Sequence, residues 1–194
     1  MCGSYPTRLR NVIMLSLSKP SQRPTSSVSA TADVVGLLRE CHGRVRRFLD
    51  IAERLARPPA DSSERDIREA ATALHRYFSQ ALPLHVRDEE ETLAPRLKGC
   101  DKAVDAALGA MQEQHAAHQA VLQEFLTLIA ALITEPVRLG TLQQELSAVT
   151  AELHAQLGAH LEAEECILFP AIARFCDANL QATMLDEIRQ RRRI

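Results

Sequence analysis

Residues 85–95 read HVRDEEETLAP and residues 160–170 read HLEAEECILFP, so both follow the pattern H-x-x-x-E-E-x-x-L-x-P. Residues four apart lie on the same face of a helix. Each phrase therefore places one imidazole beside one carboxylate, His85 with Glu89 and His160 with Glu164. Two such helices facing each other could enclose metal in a mixed nitrogen and oxygen cage. The repeated phrase thus predicts a helical fold built around this pair.

Apolar residues around the two phrases recur at helical spacing in four long stretches. They run from Val35 to a Pro-Pro pair at 58–59, from Ile67 to Pro95, from Leu108 to a turn at 134–136, and from Leu142 to about Pro170. Residues 101–110 form either a short lead-in helix or the first turns of the third helix, and residues 178–191 form a shorter amphipathic helix. Because the connectors are short, neighbouring helices should run antiparallel. The predicted fold is all-α, an antiparallel up-down-up-down four-helix bundle with an N-terminal tail and a short C-terminal helix.

The composition agrees with one helical domain. Hydrophobic residues make up 46% of the chain and aromatic residues only 4%. Residues 1–30 are rich in Ser, Thr and Pro and show no period, which predicts a flexible tail, whereas residues 31–194 form the bundle and the C-terminal helix. A net charge of −2 argues against nucleic-acid and membrane partners. Five cysteines without a C-x-x-C pair favour a reducing, cytoplasmic location. A homodimer stays open.

Polar side chains occupy inner positions of these helices where the periodicity requires apolar ones. The set is His42, His85, Glu89, His115, His118, His160 and Glu164. Burying two carboxylates from facing helices costs free energy, and their like charges repel. No Lys or Arg occupies an inner helix position near the two carboxylates. A multivalent cation would therefore stabilise the arrangement. The alternative is a set of hydrogen-bonded core histidines, but the duplicated spacing favours metal.

Iron suits this ligand set better than calcium or magnesium, which bind mostly oxygen. The predicted metal ligands are His42, His85, Glu89, His115, His160 and Glu164. His118 is either an extra ligand, a hydrogen-bond partner of a ligand, or a core residue. Glu90 and Glu165 are expected to be exposed or to hydrogen-bond a ligand. No catalytic residue is predicted.

Two further groups complete the sequence-based picture. The first is an apolar wall expected to exclude water from the metal, formed by Phe78, Leu122, Leu157 and Ile167. The second is the basic run at the C-terminus, with arginines at 189 and 191–193, which predicts a solvated helix end that favours the helix dipole.

The doubled phrase, together with His42 and His115, resembles the hemerythrin-like, or HHE cation-binding, family over residues 31–170. The resemblance implies a four-helix bundle with a non-haem centre of two iron ions (Fe²⁺ or Fe³⁺), with or without an oxo or hydroxo bridge. The histidines would be terminal ligands, and Glu89 and Glu164 would bridge the irons. The oxygen-carrier type has H-x-x-x-H on the third helix, where this chain has Gln119. It also has Asp at the position of Glu165.

The leading functional hypothesis is therefore a cytoplasmic di-iron protein that binds O₂ or another diatomic ligand such as NO, for sensing, storage or stress response. One alternative is an iron donor or repair protein for damaged iron–sulfur clusters. The set of four His and two Glu in this chain resembles that of the di-iron repair proteins. Another is a metal-gated interaction module. The hypothesis is of a ligand- and metal-binding protein rather than an enzyme.

Overall fold

Five helical segments account for the structure, a computed structural model that describes residues 33–192. Within this range there is no strand. The predicted N-terminal tail and Arg193 lie outside the described residues. In chain order the helices are α1 (Val34–Ala56), α2 (residues 64–97), α3 (Lys102–Thr134), α4 (residues 139–175) and α5 (Ala178–Arg191), with a 3₁₀ turn at Pro136–Arg138 before α4.

The helices begin at capping residues that the sequence supplies. Asp33 accepts a hydrogen bond from the backbone N–H of Gly36, and Ser63 forms a reciprocal capping box with Asp66 at the start of α2. Asp101 and Asp177 cap α3 and α5 in the same way. Such caps satisfy backbone donors that the first helical turn leaves without partners. Because Asp101 starts one uninterrupted helix, residues 101–110 are the first turns of α3 and not a separate helix.

Helices α2 and α4 contain wider π-helical turns, and each such turn ends two residues before a proline. The turns are Tyr77–Ala81 before Pro83, Asp88–Leu93 before Pro95, and Glu164–Leu168 before Pro170. Proline lacks the N–H that would bond four residues back, and its ring crowds that carbonyl. A turn closed by a bond five residues back, such as the Ala94 N–H to the Glu89 carbonyl, relieves both problems.

These turns correct the predicted helix ends. Pro95 and Pro170 were expected to end their helices, but α2 continues to Leu97 and α4 to Phe175. The wider turn absorbs each proline without breaking the helix. The extra residue per turn also rotates the side chains that follow, which matters because Glu89 and Glu164 both lie in π turns.

The apolar core divides into two clusters. One cluster is formed by the later parts of α1 and α3 and the first parts of α2 and α4. It includes Leu49, Phe78, Phe125 and Leu153. The other includes Leu38, Leu97, Met111 and Phe169, together with α5. Helix α1 contacts α2 and α4, and α3 contacts the same two helices from the other side. The all-α prediction is confirmed, while the up-down-up-down order stays a prediction.

Helix α3 is the most apolar of the five. An 18-residue window within Lys102–Thr134 has a mean hydropathy of 1.4, so by length and composition alone it could cross a membrane. Its buried side chains, among them Met111, His115 and Phe125, belong to the interior that α2 and α4 share. Core helices of soluble proteins have the same composition, so the window alone does not indicate a membrane span.

Phe125→Ala is expected to destabilise the protein by about 3–5 kcal/mol, the usual cost of removing a buried Phe. Phe125 is fully buried and packs edge-to-face on Phe78, with ring centroids 5.3 Å apart. Urea unfolding followed by circular dichroism measures the change. Thr127→Ala, at an exposed position of the same helix, serves as the control and should stay within about 0.5 kcal/mol of wild type. An equal loss in both variants would contradict the packing shown by the structure.

Candidate metal centre

A layer of buried polar residues separates the two apolar clusters. On α1, His42 lies between Leu38 of one cluster and Val45 of the other. Helix α3 repeats this order and α2 and α4 reverse it, so on every helix apolar residues precede and follow the polar positions. The six predicted ligands, His42, His85, Glu89, His115, His160 and Glu164, are all 0–6% exposed. The structure therefore brings together in one dry layer every residue that the sequence proposed as a ligand.

The six side chains form two groups that could each hold a metal ion. One group is His42, His85, Glu89 and Glu164, and the other is Glu89, His115, His160 and Glu164. Within each group, one possible ligand atom per residue lies within 4.8 Å of the others. Both carboxylates belong to both groups, whereas each histidine belongs to one.

The two carboxylates each direct one oxygen toward each group. Glu89 Oε1 lies 3.0 Å from His85 Nε2, and Glu89 Oε2 lies 3.3 Å from His115 Nε2. Glu164 Oε2 lies 3.2 Å from His42 Nε2, and Glu164 Oε1 lies 3.4 Å from His160 Nε2. Each carboxylate could therefore contribute one oxygen to each group, and the six side chains could hold two cations.

Three of the four imidazoles are oriented by a partner on their outer nitrogen. Glu165 lies 2.8 Å from His42 Nδ1, and Glu90 lies 2.9 Å from His115 Nδ1. Gln114 Oε1 lies 2.9 Å from His160 Nδ1 and accepts its hydrogen bond when that nitrogen is protonated. Such partners fix the tautomer that leaves Nε2 free for a metal. Glu165 is partly buried and contacts a predicted ligand, while Glu90 meets both expectations, since it is exposed and also contacts His115. Gln114 was not anticipated.

Most inner atoms of the layer form no hydrogen bond of good geometry with any residue of 33–192, whereas His115 Nε2 and His160 Nε2 contact each other at 3.2 Å. The atoms without such a bond include both oxygens of Glu89 and Glu164 and the Nε2 atoms of His42 and His85, all inaccessible to solvent. Buried polar atoms without partners cost free energy, and for carboxylates the cost is larger. Because these atoms converge on one place, the donor set fits a pair of cations, and the mixed nitrogen and oxygen chemistry suits iron.

The charges within the layer shift the pKa values strongly. Burial, followed by repulsion from Glu89, raises the pKa of Glu164 from 4.5 to about 8. Burial lowers the pKa of His42, but the carboxylates of Glu164, Glu89 and Glu165 overcome this effect and raise it to about 9. Burial also lowers the pKa of His160 to about 3. The metal-free layer thus retains protons that a cation would displace.

His118 lies beside the layer but in neither ligand group. Its ring packs edge-on against the ring of His160, with centroids 5.3 Å apart, and it is 8% exposed. It lines a cavity of about 270 Å³ that adjoins the layer on the side of His85, His115 and His160. Of the three predicted alternatives for His118, the structure does not favour a metal ligand.

Two of the four residues of the predicted apolar wall line the cavity beside the layer. Leu122 and Leu157 line the cavity, and Phe78 is fully buried nearby in the same apolar cluster. Ile167 is 40% exposed, so the prediction for this residue was wrong. Ile167 lies in the π turn that begins at Glu164. In this wider turn, residues on the inner face are four to five positions apart, so Leu168 and Phe169 are buried instead.

Arg191 and Arg192 do not form the solvated helix end that the sequence predicted. Both form ion pairs with Asp88, a fully buried carboxylate directly before Glu89. Among the described arginines of this run, Arg189 fits the prediction, since it is half exposed and lies 3.9 Å from Asp186. Asp88 escaped the sequence analysis because its partners lie about 100 residues further along the chain. Helix α5 is thereby attached to the segment of α2 that carries Glu89.

Replacing both Arg191 and Arg192 with alanine is expected to destabilise the protein by about 3–5 kcal/mol, since it leaves Asp88 buried without a countercharge. Thermal or urea unfolding measures the loss. The control is Arg189→Ala, which removes one positive charge from the same helix and should change stability by less than about 0.5 kcal/mol. Equal stability of the double variant and the control would show that α5 does not hold Asp88.

Comparison with known proteins agrees with this geometry. A family model described as the hemerythrin HHE cation binding domain matches residues 33–148, a span that contains His42, His85, Glu89 and His115 and ends before the second phrase. No curated protein matches the chain. Since the match covers more than half of the chain, this protein belongs to the hemerythrin HHE cation-binding domain family.

Proposed function

We propose that this protein holds two iron ions in the polar layer and binds O₂ or another diatomic ligand such as NO there, in sensing, storage or stress response. The observation that carries the proposal is the orientation of Glu89 and Glu164. Each directs one buried oxygen to each histidine pair, and within residues 33–192 none of these four oxygens forms a hydrogen bond of good geometry, although imidazole nitrogens lie 3.0–3.4 Å away. Iron fits four imidazoles and two carboxylates, and membership of a cation-binding family supports a metal role.

We further propose that α1–α4 form an antiparallel up-down-up-down bundle around the layer. The short connectors, residues 57–63, 98–101 and 135–138, support this order, as does the closed ring of contacts among the four helices. In such a bundle the two phrases of α2 and α4 run in the same direction, which accounts for their equivalent positions in the layer.

A ferrous pair would supply electrons and an open coordination position for the gas. The chain supplies the surroundings. His42, His115 and His160 are held in orientation by Glu165, Glu90 and Gln114. The apolar side chains of Leu122 and Leu157 line the approach from the cavity and limit the entry of water. Exclusion of water slows side reactions of a reduced metal site.

The test is reconstitution of the purified chain with ferrous iron under anaerobic conditions, followed by metal analysis and optical spectra before and after addition of O₂ or NO. We expect two irons per chain and new charge-transfer bands with at least one gas. Absence of stoichiometric iron would overturn the metal assignment. Two irons without a spectral response to either gas would retain the site and exclude gas binding.

A second candidate function is iron donation to damaged iron–sulfur clusters. The observation that favours it is Gln119, an exposed residue at the cavity where the oxygen-carrier pattern has a histidine. An amide binds iron more weakly than an imidazole, so one iron would have fewer protein ligands. An assay in which the iron-loaded chain restores an inactivated iron–sulfur enzyme separates this function from gas binding. Restoration must exceed that obtained with free ferrous iron at equal concentration.

A further inference from the structure

We propose that the cavity beside the polar layer binds an apolar organic molecule of about 11 non-hydrogen atoms with a single hydrogen-bonding group, which pairs with His118. This goes beyond gas binding and does not require that the layer holds metal. Three features support it: the size of the cavity, the chemistry of its lining and the His118 side chain.

The cavity is large enough for an organic molecule. The cavity measures about 270 Å³. An apolar protein cavity of about 150 Å³ binds benzene, which has six carbon atoms. In proportion, this cavity has room for roughly 11 non-hydrogen atoms, such as a two-ring aromatic molecule. A diatomic gas would leave most of this volume unused.

The side chains that line the cavity favour an apolar ligand. Apolar side chains from all four long helices line one part of the cavity, namely Val45, Leu82, Leu122, Leu153 and Leu157. His85, Glu89, His115 and His160 of the polar layer line its inner side. Ligand sites combine apolar walls with a small number of polar groups that orient the ligand. Three exposed residues, Pro83, Arg87 and Gln119, also belong to the lining, so the cavity opens to solvent beside them. An apolar molecule could enter there without passing the polar layer.

His118 offers a polar group to a ligand in the cavity. This side chain is 92% buried, since 8% of it is exposed, and it faces the cavity. Among residues 33–192, no side-chain or backbone group forms a hydrogen bond with its ring nitrogens, in contrast to His42, His115 and His160. Its ring nitrogens are not among the buried polar atoms that are closed off from solvent, so they reach the cavity. A hydroxyl or carbonyl on a bound ligand could form a hydrogen bond with one of them, which is why the proposed ligand carries one such group.

The test uses 2-naphthol, which has 11 non-hydrogen atoms, and naphthalene, which lacks the hydroxyl, as probes. Binding to the full chain is measured by calorimetry and by 2-naphthol fluorescence, with the protein both metal-free and iron-loaded. We expect a Kd on the order of 100 µM for 2-naphthol. Because the metal-free protein is included, failure of the probes to bind is distinguishable from failure of iron binding.

Variants locate the probe. Leu122→Trp fills the cavity and is expected to weaken both probes at least tenfold. Its matched control is Leu84→Trp, which changes a separate surface groove formed with Phe48 and Tyr77 and should leave binding unchanged. Gln119→Trp, at the exposed mouth, replaces Leu122→Trp if that variant does not fold. His118→Leu should weaken 2-naphthol about tenfold, the usual effect of one lost hydrogen bond, and leave naphthalene within about twofold.

Three results would overturn the proposal. The first is unchanged probe binding in the cavity-filling variants, or an equal loss in Leu84→Trp. The second is an equal effect of His118→Leu on both probes, which would remove the hydrogen bond from the argument. The third is loss of iron from His118→Leu, because His118 would then be a metal ligand. Selective loss of 2-naphthol with full iron content supports the proposal.

Discussion

Replacing Glu89 with alanine is expected to eliminate metal binding at both positions of the polar layer, whereas replacing His85 should impair only one. Glu89 directs Oε1 toward His42 and His85 and Oε2 toward His115, so it belongs to both ligand groups. His85 belongs to one group. Loss of a residue that merely supports a ligand already costs roughly 10–100-fold in metal affinity. Loss of a shared ligand should exceed that at both positions.

The measurement is metal content per chain after equilibrium dialysis against buffered ferrous iron, together with titration calorimetry. We expect two metals in wild type, about one in His85→Ala, and none retained in Glu89→Ala. Glu162→Ala is the matched control, because this exposed carboxylate lies on α4 between His160 and Glu164 and should not change the content. Two metals bound by Glu89→Ala at wild-type affinity would contradict the bridging geometry.

Local spacing explains why so much of this layer could be predicted. A histidine and a glutamate four residues apart meet on one helix face wherever a helix forms, so His85–Glu89 and His160–Glu164 follow from the sequence alone. Helical periodicity then placed His42 and His115 on inner faces. For residues 101–110 the sequence left two alternatives open, and the structure shows the second of them, the first turns of α3.

What the sequence could not provide depends on backbone detail or on distant partners. Ile167 was assigned to the interior because a regular helix was assumed, whereas the π turn before Pro170 directs it outward. The prolines were understood as helix ends, although a wider turn can contain them. Asp88 was missed because its arginine partners follow about 100 residues later. Gln114 resembles any surface amide until α3 and α4 bring it to His160.

Iron loading is expected to raise the thermal stability of this protein by roughly 8–16 °C. A ligand that binds only the folded state at about 1,000 times its Kd stabilises that state by about 4 kcal/mol. For a chain of this size, each kcal/mol corresponds to roughly 2–4 °C in Tm. Here the cations would also relieve the repulsion between Glu89 and Glu164 and satisfy the inner atoms that lack partners. Calorimetric scans of chelator-treated and reconstituted protein measure the difference.

Glu164→Gln distinguishes relief of repulsion from a simple structural role of this side chain. If Glu164 is buried in order to bind a cation, the amide should leave the metal-free Tm unchanged below about pH 8, where the raised pKa keeps Glu164 protonated, and raise it above that pH, where the amide removes one of two repelling carboxylates. It should also abolish most of the iron-dependent increase. If its contact with His42, at 3.2 Å, were what matters instead, the amide would lower the metal-free Tm by several degrees and leave the iron-dependent increase intact. Glu162→Ala should reproduce both wild-type values. The two effects thus have opposite signs, and the second pattern would remove the reason for placing two cations between these carboxylates.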